Sequence, residues 1–137
     1  LKMAQYEDIS IDQGSDVTLK LELANQNGAV KDLTGFTAAS KIRRTHSNDS
    51  ATSFSVMFQA PRSSGILNLT LTNQQTSSFT ASRYVYDVEI TNQDSNGNNI
   101  IERVLEGQII VNPSVTRWFK ERAWQLMLML VLRKILL

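Results

Sequence analysis

The stretch Arg83 to Thr116, RYVYDVEITNQDSNGNNIIERVLEGQIIVNPSVT, constrains this chain more than any other. Tyr84, Tyr86, Val88 and Ile90 alternate with Val85, Asp87, Glu89 and Thr91. That period of two puts one row of side chains in a core and the other in water. A polar run from Asn92 to Asn99 interrupts it, and a second run carries Ile101, Leu105, Ile109 and Val111. The expected structure is a β-hairpin with those four residues on the buried face and a polar loop between its strands. A half-buried antiparallel pair of this kind is scaffold and resembles no catalytic device.

The preceding chain repeats the pattern in shorter units. Ile9 and Ile11 form a first strand, ended by Asp12-Gln13-Gly14. Val17, Leu19, Leu21 and Leu23 alternate with Thr18, Lys20 and Glu22, a strand with one face in and one out. Asn25 to Gly28 and Asp32-Leu33-Thr34-Gly35 read as turns. Ala38, Ser40 and Ile42 then share one face; Ala38 and Ser40 are weak core residues, so the pattern leaves the inner face of this strand open. A polar loop from Thr45 to Thr52 leads to Phe54, Val56 and Phe58. After a turn at Pro61 to Gly65 come Leu67, Leu69 and Leu71. Asn73 to Ser78 is the only body segment read as a short helix, with Phe79 closing it onto the core. About seven short strands at regular spacing predict an all-β, immunoglobulin-like antiparallel β-sandwich over residues 1–116. Tyr84 or Tyr86 is a candidate for a tyrosine corner, although the Cys…Trp…Cys of antibody domains is missing.

Composition excludes several classes. With 137 residues the chain is long enough for one domain and too short for two. It has no cysteine, so no disulfide framework or thiolate metal site, and its single histidine, His46, excludes a His-rich metal cluster. No cofactor or metal is expected. A net charge of +1 gives no global footprint for nucleic acid, and none is expected as a partner. The first residues, LKMAQYEDISIDQG, do not read as a secretory signal.

The order IDQGSDVTLKLEL, DLTGFTAASKIR, GILNLTLT, RYVYDVEI and VLEGQIIVNPSVT resembles a small β-sandwich domain of tailed-bacteriophage virion proteins. It is similar to the N-terminal domain of baseplate upper proteins and to related structural proteins of cyanophage-like myoviruses. The resemblance covers roughly Met3 to Arg117. Its best signals are the Ile-Asp-Gln-Gly start, the Asp-Leu-Thr-Gly bend and the Leu-Glu-Gly-x-x-x-Val ending. It implies an attachment and assembly module located in the virion's tail, baseplate or neck. The expected partners are other phage structural proteins and further copies of this chain. It carries over no catalytic residue.

Residues that suggest chemistry have plainer explanations. His46 lies among Arg43, Arg44, Ser47, Asp49 and Ser50, but a triad is defined by geometry, and polar loops bring these residue types together by chance. A hydrolase would need a pocket bringing His46 near a carboxylate and a hydroxyl, and none is expected. Arg43, Arg44 and His46 could instead form a small phosphate- or partner-binding patch. Asp94 to Asn99 has one carboxylate and its glycine in the fourth place, against the three ligand positions before a sixth-place glycine in a calcium loop; it reads as a hairpin loop. The aromatics Phe54, Phe58, Phe79, Tyr84 and Tyr86 read as core.

Residues 117–137 are chemically different. Residues 1–116 hold nine Lys/Arg against twelve Asp/Glu, a net of −3, while 117–137 hold five against one, a net of +4. A helix is expected here, rich in Leu and Met and without Gly or Pro. Ala123 to Leu132 would span only about 15 Å as a helix, half the roughly 30 Å of a bilayer core, so a membrane span is not expected. Three readings stand: an assembly helix, a membrane-surface segment, and a sequence foreign to the domain. For the first, the candidate interface is Trp118, Phe119, Trp124, Leu126, Leu128 and Leu130.

The sequence therefore leads to a non-enzymatic, oligomer-forming virion structural protein. The alternative is a surface-displayed binding module that recognises carbohydrate or protein.

Overall fold

A computed structural model describes residues 4–80 and 82–116. The described chain is mostly β-strand with almost no helix. In order it runs β1 (Gln5–Tyr6), β2 (Ile9–Asp12), β3 (Val17–Glu22), β4 (Thr37–Arg43), β5 (Thr52–Ser53), β6 (Ser55–Phe58), β7 (Ile66–Leu71), α1 (Asn73–Ser77), β8 (Arg83–Gln93) and β9 (Asn99–Asn112). One sheet has the order β1-β9-β8-β4-β5, with β2 also on β9; the other is β3-β7-β6. The chain changes sheets at Phe54, whose N–H donates to the Ser40 carbonyl while its ring is buried.

Alternation decides which face is dry. Leu67, Leu69 and Leu71 from the small sheet and Ile11, Ile42, Tyr86, Val88, Ile90, Leu105, Ile109 and Val111 from the large one belong to a single apolar cluster. Leu33, Phe54 and Phe79 close it from connecting segments. Ser40 settles the face of β4. It is buried beside Ile42, and its hydroxyl donates to the Asp87 carbonyl at 2.6 Å, which satisfies the polar atom. The short helix forms because Thr72 and Gln75 make a reciprocal capping box. Its Thr76, fully buried, donates to the Ser15 carbonyl.

Two expectations are corrected. The sheets are mixed: β1 and β2 run parallel to β9, so the first strand run does not join an antiparallel neighbour. Ile101 is not in the core but 62% exposed. The register of the β8–β9 hairpin shifts at Val88/Glu89, where Val88 faces Leu105 but Glu89 faces Arg103. The extra residue on β9, Val104, reverses which side its neighbours face. Glu102 therefore lies opposite the buried Ile90, and Ile101 turns outward. Period-two extrapolation fails at any such bulge.

The parallel edge depends on one close approach. A Cβ on Gly107 would fall 1.9 Å from the Glu7 carbonyl oxygen, so only glycine lets β1–β2 cross here. Tyr86, directly opposite Gly107 in the register, donates its hydroxyl to that carbonyl at 2.7 Å. The Glu7 N–H donates to the Glu106 carbonyl, and the Asp8 carboxylate accepts from the Gln108 N–H. Gly107→Ala is expected to cost about 3 kcal/mol or more, because backbone must move. Tyr86→Phe, which removes only the hydroxyl, should cost about 1–3 kcal/mol. Urea denaturation of the two variants checks both the order and the size of the effects.

Candidate functional site

The three motif segments lie at joints of the fold. In Ile11-Asp12-Gln13-Gly14, Ile11 is core and Asp12 accepts from the Asn112 carboxamide. Gln13 is a clamp: its backbone N–H donates to Asn112, its Nε2 to the Phe79 carbonyl at 2.7 Å, and its Oε1 accepts from the Ser114 N–H. In Asp32-Leu33-Thr34-Gly35, the Asp32 carboxylate accepts from both the N–H and the hydroxyl of Thr34. Leu33 is thereby plugged into the core, and Gly35 turns the chain at a φ of 82°. In the ending, Leu105 and Val111 are core and Gly107 is the close approach beneath Glu7.

The loop of His46 is built by its neighbours. The Arg43 guanidinium donates to the carbonyls of Asn48 and Asp49, and Arg44 donates to Thr80 and lies over the Tyr84 ring. Both arginines thus make bonds within the fold. His46 is exposed and borders a shallow depression of about 140 Å³ on the outer face of the large sheet. Tyr6, Val85, Glu106 and Gln108 form its walls, with Tyr86 and Gly107 below. His46 thus shares a depression with a carboxylate and two phenols, a meeting not expected from the sequence. Among the described residues no serine or threonine lines it, and the Tyr86 hydroxyl is committed to the Glu7 carbonyl. Burial first, then the Glu7 and Asp8 carboxylates, holds the Tyr86 phenol well above its ordinary pKa, so it stays protonated. The volume lies below the roughly 300 Å³ at which small-molecule pockets begin.

Charge on this outer face centres on Arg103. Its guanidinium reaches Glu106 at 3.1 Å, Asp87 at 3.5 Å and Glu89 at 3.7 Å, across two strands. The Glu106 hydrogen bond above all, with Asp87 adding, raises the Arg103 pKa further. The Asp94 carboxylate accepts from the N–H groups of Asn96 and Asn98, making the hairpin loop its own ligand. Among the described residues no group of three or more His, Cys, Asp or Glu is placed to hold a metal ion, and no helix is long and apolar enough to cross a membrane.

The candidate assembly residues Trp118, Phe119, Trp124, Leu126, Leu128 and Leu130, and the expected C-terminal helix, lie outside the described residues. Residue reading missed the Gln13 clamp, which nothing in a strand-end glutamine announces. The Arg103 cluster was more accessible, since Asp87, Glu89 and Arg103 fall on outward positions once the bulge is known. No protein-family model matches the chain, and no curated protein sequence matches it.

The backbone hydrogen bond from Asn98 above all lowers the Asp94 pKa. A depressed folded pKa means the loop's order is fully present above the unfolded value of about 3.9 and is lost as pH falls through the depressed one. Asp94→Ala should speed amide exchange at Asn96 and Asn98 at neutral pH. The unaltered loop should loosen only in acid. Amide exchange followed by NMR against pH reads both.

Proposed function

We propose that this chain is a non-enzymatic, immunoglobulin-like β-sandwich that acts as an attachment and assembly module of a tailed-phage virion, in its tail, baseplate or neck. Strand order supports the sandwich reading. In this reading the sets β9-β8-β4-β5 and β3-β7-β6 correspond to the two sheets of an immunoglobulin-type domain, with the first strand moved onto β9. The Tyr84 hydroxyl accepts from the Thr80 N–H at 3.0 Å, four residues upstream, the bond that defines a tyrosine corner at the start of the penultimate strand. In this reading residues 1–116 form the block and residues 117–137, with Trp118, Phe119, Trp124, Leu126, Leu128 and Leu130, lead to or pack on the assembly partner.

The observation that carries the proposal is where the motifs of the phage resemblance fall. All three hold joints of the frame, and none lines the depression except through Glu106 and Gly107. A domain whose recognisable residues build the frame offers its outer faces and edges for contact with neighbours. Virion partners are then other structural proteins and further copies of the chain.

A second reading, a displayed module that binds carbohydrate or protein, has one observation in its favour. Exposed Tyr6 beside His46, Glu106 and Gln108 offers an aromatic surface with hydrogen-bonding groups around it. Size-exclusion chromatography with light scattering, on the chain with and without residues 117–137, separates the two. Assembly predicts oligomers of the whole chain that shrink on truncation. A monomer in both forms that binds glycans on an array overturns the assembly reading.

A further inference from the structure

Open sheets expose rows of backbone N–H and C=O groups at their edges, and proteins blunt them with charge, interruption or shortness. Among the described residues the two sheets have four edges, and three of them are blunted. The β1–β2 edge is broken at Glu7 and Asp8 and bears Asp12 as well. The β5 edge is two residues long. The β3 edge carries Lys20 and Glu22, exposed and paired at 3.4 Å. The β6 edge, Ser-Val-Met-Phe, has no charge, and its Met57 is 67% exposed. The nearby Arg62 is occupied: it stacks 4.0 Å from the Phe58 ring centre and donates to the Phe36 carbonyl.

We infer that β6 is a homotypic docking edge, pairing antiparallel with β6 of a second copy about a two-fold axis. The inference rests on the assembly reading above. The Gln59 N–H donates to the Ile66 carbonyl, so Gln59, Met57 and Ser55 are the residues that bond β7. By alternation, the N–H and C=O of Val56 and Phe58 are turned to the free edge. Only a pairing centred on a residue keeps each sheet's dry face continuous with its neighbour's. Centred on Met57, it sets Met57 against the partner's Met57, Val56 against the partner's Phe58, and Ser55 against the partner's Gln59. Each contact is like with like and none opposes like charges, which is why the occupant is a second copy. Val56 and Phe58 then exchange about four N–H···O bonds with the partner. A two-fold contact closes as a dimer and joins two three-stranded sheets into one of six.

The chain has no cysteine, so Met57→Cys is a unique reporter. Central non-hydrogen-bonded residues lie about 4.5 Å apart between Cα atoms, inside the roughly 4.4–6.8 Å disulfide range. The full-length Met57→Cys protein should form a disulfide dimer under mild oxidation about tenfold faster than a Lys20→Cys control. Adding Val56→Pro should bring it to the control rate, since the N–H it removes does not bond β7. Met57→Lys, in case the proline variant fails to fold, should turn dimer into monomer in sedimentation equilibrium. Equal cross-linking of the two cysteine variants, or dimers indifferent to Met57→Lys, would overturn the inference. If oligomers persist in that case, the assembly reading stands and only the choice of edge falls. A full-length chain that stays monomeric at high concentration removes both.

Discussion

The contact of Tyr86 with the Glu7 carbonyl over Gly107 is the constraint on which the arrangement of this chain depends. The first strand run joins β9 in parallel and must pass close to it. Glycine makes room, the phenol satisfies the carbonyl, and the same phenol stands edge-on to the Phe54 ring in the core. One residue thus ties the first strand, the central hairpin and the crossover between sheets. The depression beside His46 lies where this approach occurs, with Tyr86 and Gly107 at its base.

Much of the fold was legible because burial on one face writes a period of two into the chain. The alternation in β3, β7 and β8 places Leu19, Leu69 and Val88 where the core needs them. The short helix before Phe79 was expected too, while its Thr72–Gln75 capping box emerged only in the structure. What the pattern could not carry was anything that interrupts it. The bulge at Val88/Glu89 turned Ile101 to solvent, and nothing local marks Val104 as the extra residue. The parallel pairing of β1 and β2 was equally hidden, since side-chain alternation is the same for either strand direction. Ser40 looked like a weak core residue because its partner, the Asp87 carbonyl, is brought by a strand far along the chain.

The site was less legible than the fold, for a physical reason. Most polar side chains that suggested chemistry prove to be committed to backbone groups. Arg43 holds its own loop, Asp32 and Asp94 order turns, and Gln13 ties three segments together. Such bonds cannot be told from functional ones by residue type alone. Among the described residues, what faces outward is surface: a large-sheet face whose charges pair around Arg103, and the uncharged edge of β6. These are the surfaces that the proposed assembly role would use.

Hydrogen–deuterium exchange of the full-length chain at rising protein concentration tests this account most directly. The account predicts that protection grows with concentration at Val56 and Phe58, while Tyr6, Val85 and Gln108 around the depression stay unchanged. Protection that ignores concentration at β6, but rises around the depression when glycans are added, would contradict it.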